Sequence, residues 1–183
     1  MNETQKTITE RYSCRAYNDT PLTEEQIKTL AEAALASPSA INRQPWRVII
    51  VTDKALLEAM DAEALNVIKA QDENWHAQVM KRGGTIFYNA PCMVMIASDG
   101  SDHAAADCGI LSENVALAAQ AMGLGNVICG MARLPLLGAR GQEFSQKLGF
   151  PEGFVFGMAV LVGNTDEPGE PHELDWGKIS YVR

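Results

Sequence analysis

The chain has 183 residues, a length suited to one domain or to one domain with an appended arm. With 46% hydrophobic and 21% charged residues it sits close to the globular average, so a sizeable core can be buried and disordered or collagen-like architectures are excluded. A net charge of −8 argues against a nucleic-acid partner, whose phosphates need basic residues to meet them.

Taken from the N-terminus, Met1–Lys6 is polar and lacks the apolar stretch of a signal peptide, and nowhere does an apolar run approach the roughly 18 residues that span a bilayer. The expected location is therefore cytoplasmic, with no membrane partner. Thr23 and Gln26 form a capping box, and Ile27, Leu30, Ala31, Ala34 and Leu35 fall on one face, which predicts a helix over 23–36. Ser37-Pro38 ends it, and the chain is loop as far as Trp46. Arg47–Val51 is a short β-branched strand. A helix follows over 54–70, then a weakly patterned amphipathic stretch over 71–88. Cys92–Ala97 is a buried strand between Pro91 and the Ser98-Asp99-Gly100 turn. Asp107–Met122 is a helix apolar around most of its circumference, stopped by Gly123. Asn126–Cys129 reads as a short strand or an extended loop, 141–148 as a helix, and Val155–Val162 as a third strand. From Gly163 the chain turns polar and ends in a candidate edge strand, Lys178–Arg183. Helices alternate with a few strands without regular βαβ units, so the fold class is α+β.

Several chemistries are excluded by pattern. Cys14, Cys92, Cys108 and Cys129 are too far apart for a Cys-x-x-Cys pair or a zinc ribbon and read as free thiols. Gly123-Leu124-Gly125 opens like a dinucleotide fingerprint, but it follows a helix and its sixth position is Ile128. Neither a Walker loop nor a Gly-x-Ser-x-Gly elbow is present. His103 and Asp107 share a helix face but have no third ligand in view, and read as polar residues at a helix start.

Three segments carry chemistry. In Arg11-Tyr12-Ser13-Cys14-Arg15, two guanidinium forks flank a hydroxyl, a set suited to gripping a phosphate; alone it reads more readily as a solvated helix end with incidental basic residues. In Ser37–Trp46, the amides of Asn42 and Gln44 supply paired donors and acceptors that match the uracil-like edge of an isoalloxazine ring; alone it reads equally as a polar loop capping a strand. Gly123–Gly130 can present a backbone amide to a ring nitrogen, although glycines after a helix are ordinarily punctuation.

Together these segments resemble the nitroreductase family of flavoproteins. The likeness covers nearly the whole chain: Arg-x-Ser-x-Arg at 11–15, Pro-Ser-x-x-Asn-x-Gln-Pro-Trp at 38–46, Asp107 to Asn114, Gly123-Leu124-Gly125, and Phe150 to Gly163. It implies a central, mostly antiparallel sheet flanked by helices, in an intertwined homodimer with FMN bound non-covalently at the subunit interface. Residues 1–163 would form the FMN-binding domain and 164–183 an arm packing on the partner. By the same resemblance Arg11, Tyr12, Ser13 and Arg15 would hold the phosphate and ribityl chain, and Pro38, Ser39, Asn42 and Gln44 would line the flavin, in part across the interface. Ile128, Cys129 and Gly130 would place backbone groups at the N5 edge, with the Cys129 N–H as donor and its thiol inert. Lys178 or Arg183 would add a cation to the phosphate site, although the tail 171–176 departs from the commonest family pattern, and Asn89 stands where many relatives have glycine. Arg15 and Arg43 are both candidates for a positive charge at the pyrimidine edge.

The implied activity is transfer of electrons from NADH or NADPH to nitroaromatics, quinones or similar small acceptors in a ping-pong scheme. The alternatives are another flavin reaction on the same fold, such as reductive dehalogenation or flavin cleavage, or a non-catalytic flavin sensor.

Overall fold

The structure, a computed structural model, describes residues 1–167 and 169–183. Seven helices are present among them: α1 (Glu3–Glu10), α2 (Glu24–Leu35), α3 (Lys54–Gln71), α4 (Glu73–Lys81), α5 (Ala104–Ala121), α6 (Leu134–Leu137) and α7 (Gly141–Lys147). Four strands, β1 (Trp46–Val51), β2 (Cys92–Ser98), β3 (Gly125–Ile128) and β4 (Val155–Gly163), make one sheet in the order β1-β2-β4-β3. Every pairing in it is antiparallel.

Local chemistry explains the helix ends. Thr23 accepts the Gln26 N–H at 3.2 Å while the Gln26 side chain accepts the Thr23 N–H at 2.8 Å, the reciprocal pair that the sequence announced. Asp53 caps α3 by accepting from Leu56 N–H at 3.1 Å, and Asp72 closes the short break between α3 and α4.

The sheet is covered on both faces, which is why its central strands read as unbroken apolar runs instead of alternating ones. On one side Met93, Met95, Ala159 and Leu161 meet Met60, Ile68 and Phe144 of α3 and α7. On the other, Cys92, Val94, Ile96, Val160 and Val162 meet Leu30 and Ala34 of α2 and Leu111, Val115 and Ala119 of α5. Each large side chain taken fully out of water here contributes about 1.5–3 kcal/mol. Desolvation in this core pushes the Cys92 thiol up to about 12.

Two expectations need correction. Gly125–Ile128 is a true strand, so Val155–Gly163 is the fourth strand and not the third. Lys178–Arg183 is not an edge strand: the described chain there is a single 3-10 turn at Trp176–Lys178 followed by irregular backbone. A strand needs a neighbour for its N–H and C=O groups, and this protomer offers the tail none. Residues 169–183 are all exposed, with Leu174, Trp176, Tyr181 and Val182 facing solvent.

Candidate functional site

The Arg11–Arg15 segment leaves α1 in extended backbone and runs alongside β3. Ser13 pairs with Asn126 in a parallel bridge, and Cys14 N–H donates to the Asn126 carbonyl at 2.8 Å. The approach is close because residue 125 is glycine: a Cβ there would meet Cys14 Sγ at 2.6 Å. Arg11 reaches Glu113 of α5 at 3.7 Å. Arg15 makes only a hydrogen bond from Nη1 to the Ser13 carbonyl, at 3.2 Å, and has no acidic partner among the described residues. Tyr12 turns the other way. Its hydroxyl donates to the Glu167 carbonyl at 3.5 Å, and its ring lies against Gly169, where any side chain would collide. Within this protomer Tyr12 anchors the root of the C-terminal arm.

The segment carrying Pro38, Ser39, Asn42 and Gln44 is built differently. Ile41, Asn42 and Gln44 all take left-handed backbone, at φ 49°, 55° and 50°. Asn tolerates that region; a β-branched Ile does not adopt it without compensation. The compensation comes from side chains. Ser39 Oγ accepts the Gln44 N–H at 2.8 Å, Asp107 Oδ1 accepts the Ala40 N–H at 3.1 Å, and Asn114 Nδ2 donates to Ser37 Oγ at 3.0 Å. The loop is thereby hung on α5 with the Asn42 and Gln44 side chains exposed. Arg43 is paired with Asp99 at 3.5 Å. Of the two cations considered for the pyrimidine edge, Arg43 is thus neutralised and Arg15 is not.

At the end of β3 the expected donor is engaged elsewhere. Cys129 N–H donates to the Ala159 carbonyl at 2.8 Å, extending the β3–β4 ladder by one bond. The Gly130 N–H, one residue on and exposed, meets no acceptor among the described residues. The amide of this turn that is free to meet a ring nitrogen therefore belongs to Gly130. Burial pushes the Cys129 thiol up, opposed in part by the Ala132 and Met131 amides and by Arg15, so it is not primed as a thiolate.

The structure brings Arg11–Arg15 and Ile128–Gly130 together along β3. It sets the 37–46 loop on the adjoining flank of α5, held at Asp107 and Asn114. Lys178 and Arg183 do not join them: Lys178 pairs with Asp175 at 3.8 Å, and Arg183 stacks 5.5 Å from the Tyr181 ring. A cavity of about 750 Å³ between Tyr17, Leu57, Asp61 and Phe87 contains none of the expected residues; a second, of about 530 Å³, includes Gly130.

Sequence reasoning missed what holds the loop. Asp107 is 4% exposed, and besides its Ala40 contact it leaves Oδ2 buried without a partner. The sequence pattern of a polar helix start does not announce this role; the signal for it is the seven-residue spacing from Asn114, which puts both on one face of a helix.

An antiparallel α+β sheet with a two-arginine segment along its edge strand and an amide-rich loop hung on its central helix defines a nitroreductase-like flavoprotein. The chain belongs to the nitroreductase family, whose model matches residues 8–164. It is 29% identical over 181 residues to a putative NADH dehydrogenase/NAD(P)H nitroreductase of Archaeoglobus fulgidus, covering 96% of this chain and 92% of that protein. It is also 29% identical over 174 residues to the FMN reductase [NAD(P)H] of Bacillus subtilis, covering 88% of this chain and 65% of that one. Among solved structures, a nitroreductase with bound FMN from Desulfitobacterium hafniense matches with a TM-score of 0.96 at 44% identity, with both chains fully covered. An FMN-dependent nitroreductase from Clostridium difficile matches at 0.82 and 26% identity, covering 99% of each chain. No helix among the described residues is long and apolar enough to cross a membrane.

Proposed function

We propose that this protein is an NAD(P)H-dependent FMN oxidoreductase that reduces nitroaromatics, quinones or similar small acceptors by a ping-pong mechanism. The observation that carries the reading is the pairing along β3 of an arginine with no acidic partner, Arg15, and an exposed amide with no acceptor, Gly130. These are the two things a flavin mononucleotide needs from a protein: a cation for its phosphate or its pyrimidine edge, and a donor for a ring nitrogen.

FMN, when bound, supplies the hydride-accepting ring, and the chain's own residues bind and orient it. Arg11, Ser13 and Arg15 hold the phosphate and ribityl chain. Gly130 presents its N–H, and Asn42 and Gln44 present side-chain amides that make no hydrogen bonds among the described residues. No side chain has to act as nucleophile or metal ligand.

The assembly proposed is a homodimer in which the 37–46 loop and the 164–183 arm serve the partner's site. In the protomer Ile41 is 96% exposed and Leu35 65%, and Ala105, Ala106, Gly109 and Ile110 of α5 also face solvent. These exposed apolar residues support a subunit contact on that side.

The test is the absorption spectrum of the purified protein, then anaerobic titration with NADH and NADPH and turnover with menadione or nitrofurazone. Yellow protein bleached by a reduced nicotinamide and reoxidised by either acceptor is the expected result. Protein that neither carries nor takes up FMN rejects the reading. FMN that bleaches but passes electrons to neither acceptor favours a different flavin reaction or a sensor.

A further inference from the structure

The cavity of about 530 Å³ beside Gly130 is assembled from the 3-10 turn Gly130–Arg133, from α6 and from the first half of β4. Its walls are largely apolar, with Phe150, Phe154 and Phe156 joined by Met158 and Leu136, and Ser145 is a polar member of the lining. Into this lining the chain places one cation, Arg133. Its guanidinium has no acidic partner among the described residues. Glu143 of α7, the first carboxylate after it in the sequence, is already bonded to both Arg140 and Lys147, each at 2.8 Å. Arg133 is solvent-exposed, and Arg47 and Arg82 likewise lack an acidic partner among the described residues, so what distinguishes Arg133 is its place at the wall of an aromatic cavity. Aromatic walls favour a planar ring by offset or edge-on contact, and a guanidinium fork matches a carboxylate or sulfonate by two parallel hydrogen bonds.

We infer that this cavity is the acceptor subsite and that it takes a flat aromatic acceptor carrying an anionic substituent, with Arg133 as the specificity residue. The inference rests on the reading that Gly130 faces the flavin ring, because that contact is what sets the cavity beside the reacting atoms. For a nitroaryl carboxylate the step balances as follows. NAD(P)H supplies two electrons and one hydrogen and becomes NAD(P)⁺, one proton comes from solvent, and the nitro group becomes nitroso as one oxygen leaves as water.

The test separates binding from turnover. Calorimetric titration of the FMN-loaded protein with 2-naphthoate and with 2-naphthamide compares an anion with a neutral ring of the same shape, and neither is a nitro acceptor. Wild-type protein should prefer the carboxylate by about tenfold or more, the usual strength of a charge-assisted contact. Arg133→Gln should abolish that preference while leaving naphthamide affinity in place, and Arg133→Lys should keep part of it, having the charge without the fork. In steady-state assays kcat/KM for 4-nitrobenzoate should fall in Arg133→Gln while that for 4-nitrobenzamide holds. No carboxylate preference in the wild type, or a preference that survives Arg133→Gln, overturns the inference. So does a change in Arg133→Gln confined to the NADPH/NADH ratio, which would assign the arginine to the dinucleotide. Turnover with menadione and nitrofurazone distinguishes the two readings: failure with both favours a different flavin reaction or a sensor, whereas turnover with either one without the carboxylate preference rejects only the subsite.

Discussion

The two segments that present most of the polar groups of the site are held in opposite ways. Arg11–Arg15 is pinned by backbone: its Ser13 and Cys14 lie along Asn126, and a glycine at 125 lets the two chains touch. The 37–46 loop is held by side chains, those of Ser39, Asp107 and Asn114, against the strain of three left-handed residues. Backbone pinning does not depend on the Ser13 and Arg15 side chains, so substituting either should remove a ligand contact and little else. Side-chain suspension makes the second segment's shape depend on single residues remote from the ligand.

The largest effect should come from breaking the suspension. Asp107→Ala leaves the Ala40 N–H without its acceptor and opens a hole under a strained loop, with an expected loss of about 3 kcal/mol in stability. FMN affinity should fall with it. Asp107→Asn keeps an acceptor at Oδ1 and should recover most of both. Urea unfolding and FMN fluorescence titration of the two variants check this, and an alanine variant as stable as wild type would show that the loop holds itself.

Arg15→Ala is the matching change in the pinned segment. Here the fold should be unaffected, while FMN binding weakens by roughly 1.5–3 kcal/mol, or about ten- to a hundredfold. Excess FMN should restore turnover, because the arginine binds and does not react. Activity still abolished at saturating FMN would assign Arg15 a chemical role.

Cys129 sits where the first segment's strand ends, with its N–H on Ala159 and its thiol pushed up by burial. Since the free amide is that of Gly130, Cys129→Ala should keep most of its quinone reduction, measured by steady-state kinetics with FMN content confirmed. A loss of about a hundredfold, some 2.7 kcal/mol, would place the thiol in the chemistry.

The smallest effect belongs to neither segment. Hydrogen bonds from Arg140 and Lys147 hold the Glu143 carboxyl at about 2, below its ordinary 4.5. A carboxylate depressed in the folded state stabilises the protein above its unfolded value, and that contribution is lost as pH falls through the folded one. Its share of acid sensitivity therefore lies between about pH 4.5 and about pH 2. The pair is exposed and salt-screened, so Glu143→Gln should flatten the thermal midpoint only slightly across that window, and less in high salt.

Much of this molecule was legible in its sequence because the signals were local. The Thr23–Gln26 box, the β-branched run before Val51, the apolar run from Cys92 and the stop at Gly123 each depend on residues within one turn or one strand. The two-arginine segment and the Ser37–Trp46 motif were legible for the same reason, since their chemistry is written in adjacent side chains. What only the tertiary structure decided is how those pieces are joined. The pairing of Ser13 with Asn126 spans more than a hundred residues, and no local pattern encodes it. Which amide of the Ile128–Gly130 turn is free was settled by β4, because Ala159 takes the Cys129 N–H and leaves that of Gly130. Arg15 and Arg43 looked alike until Asp99 was found beside one of them. Asp107 read as a solvated helix start until the loop folded down onto it and shut out water. In each case the deciding quantity was whether a donor or charge already had a partner, and partners are assigned by long-range packing that periodicity and spacing do not record.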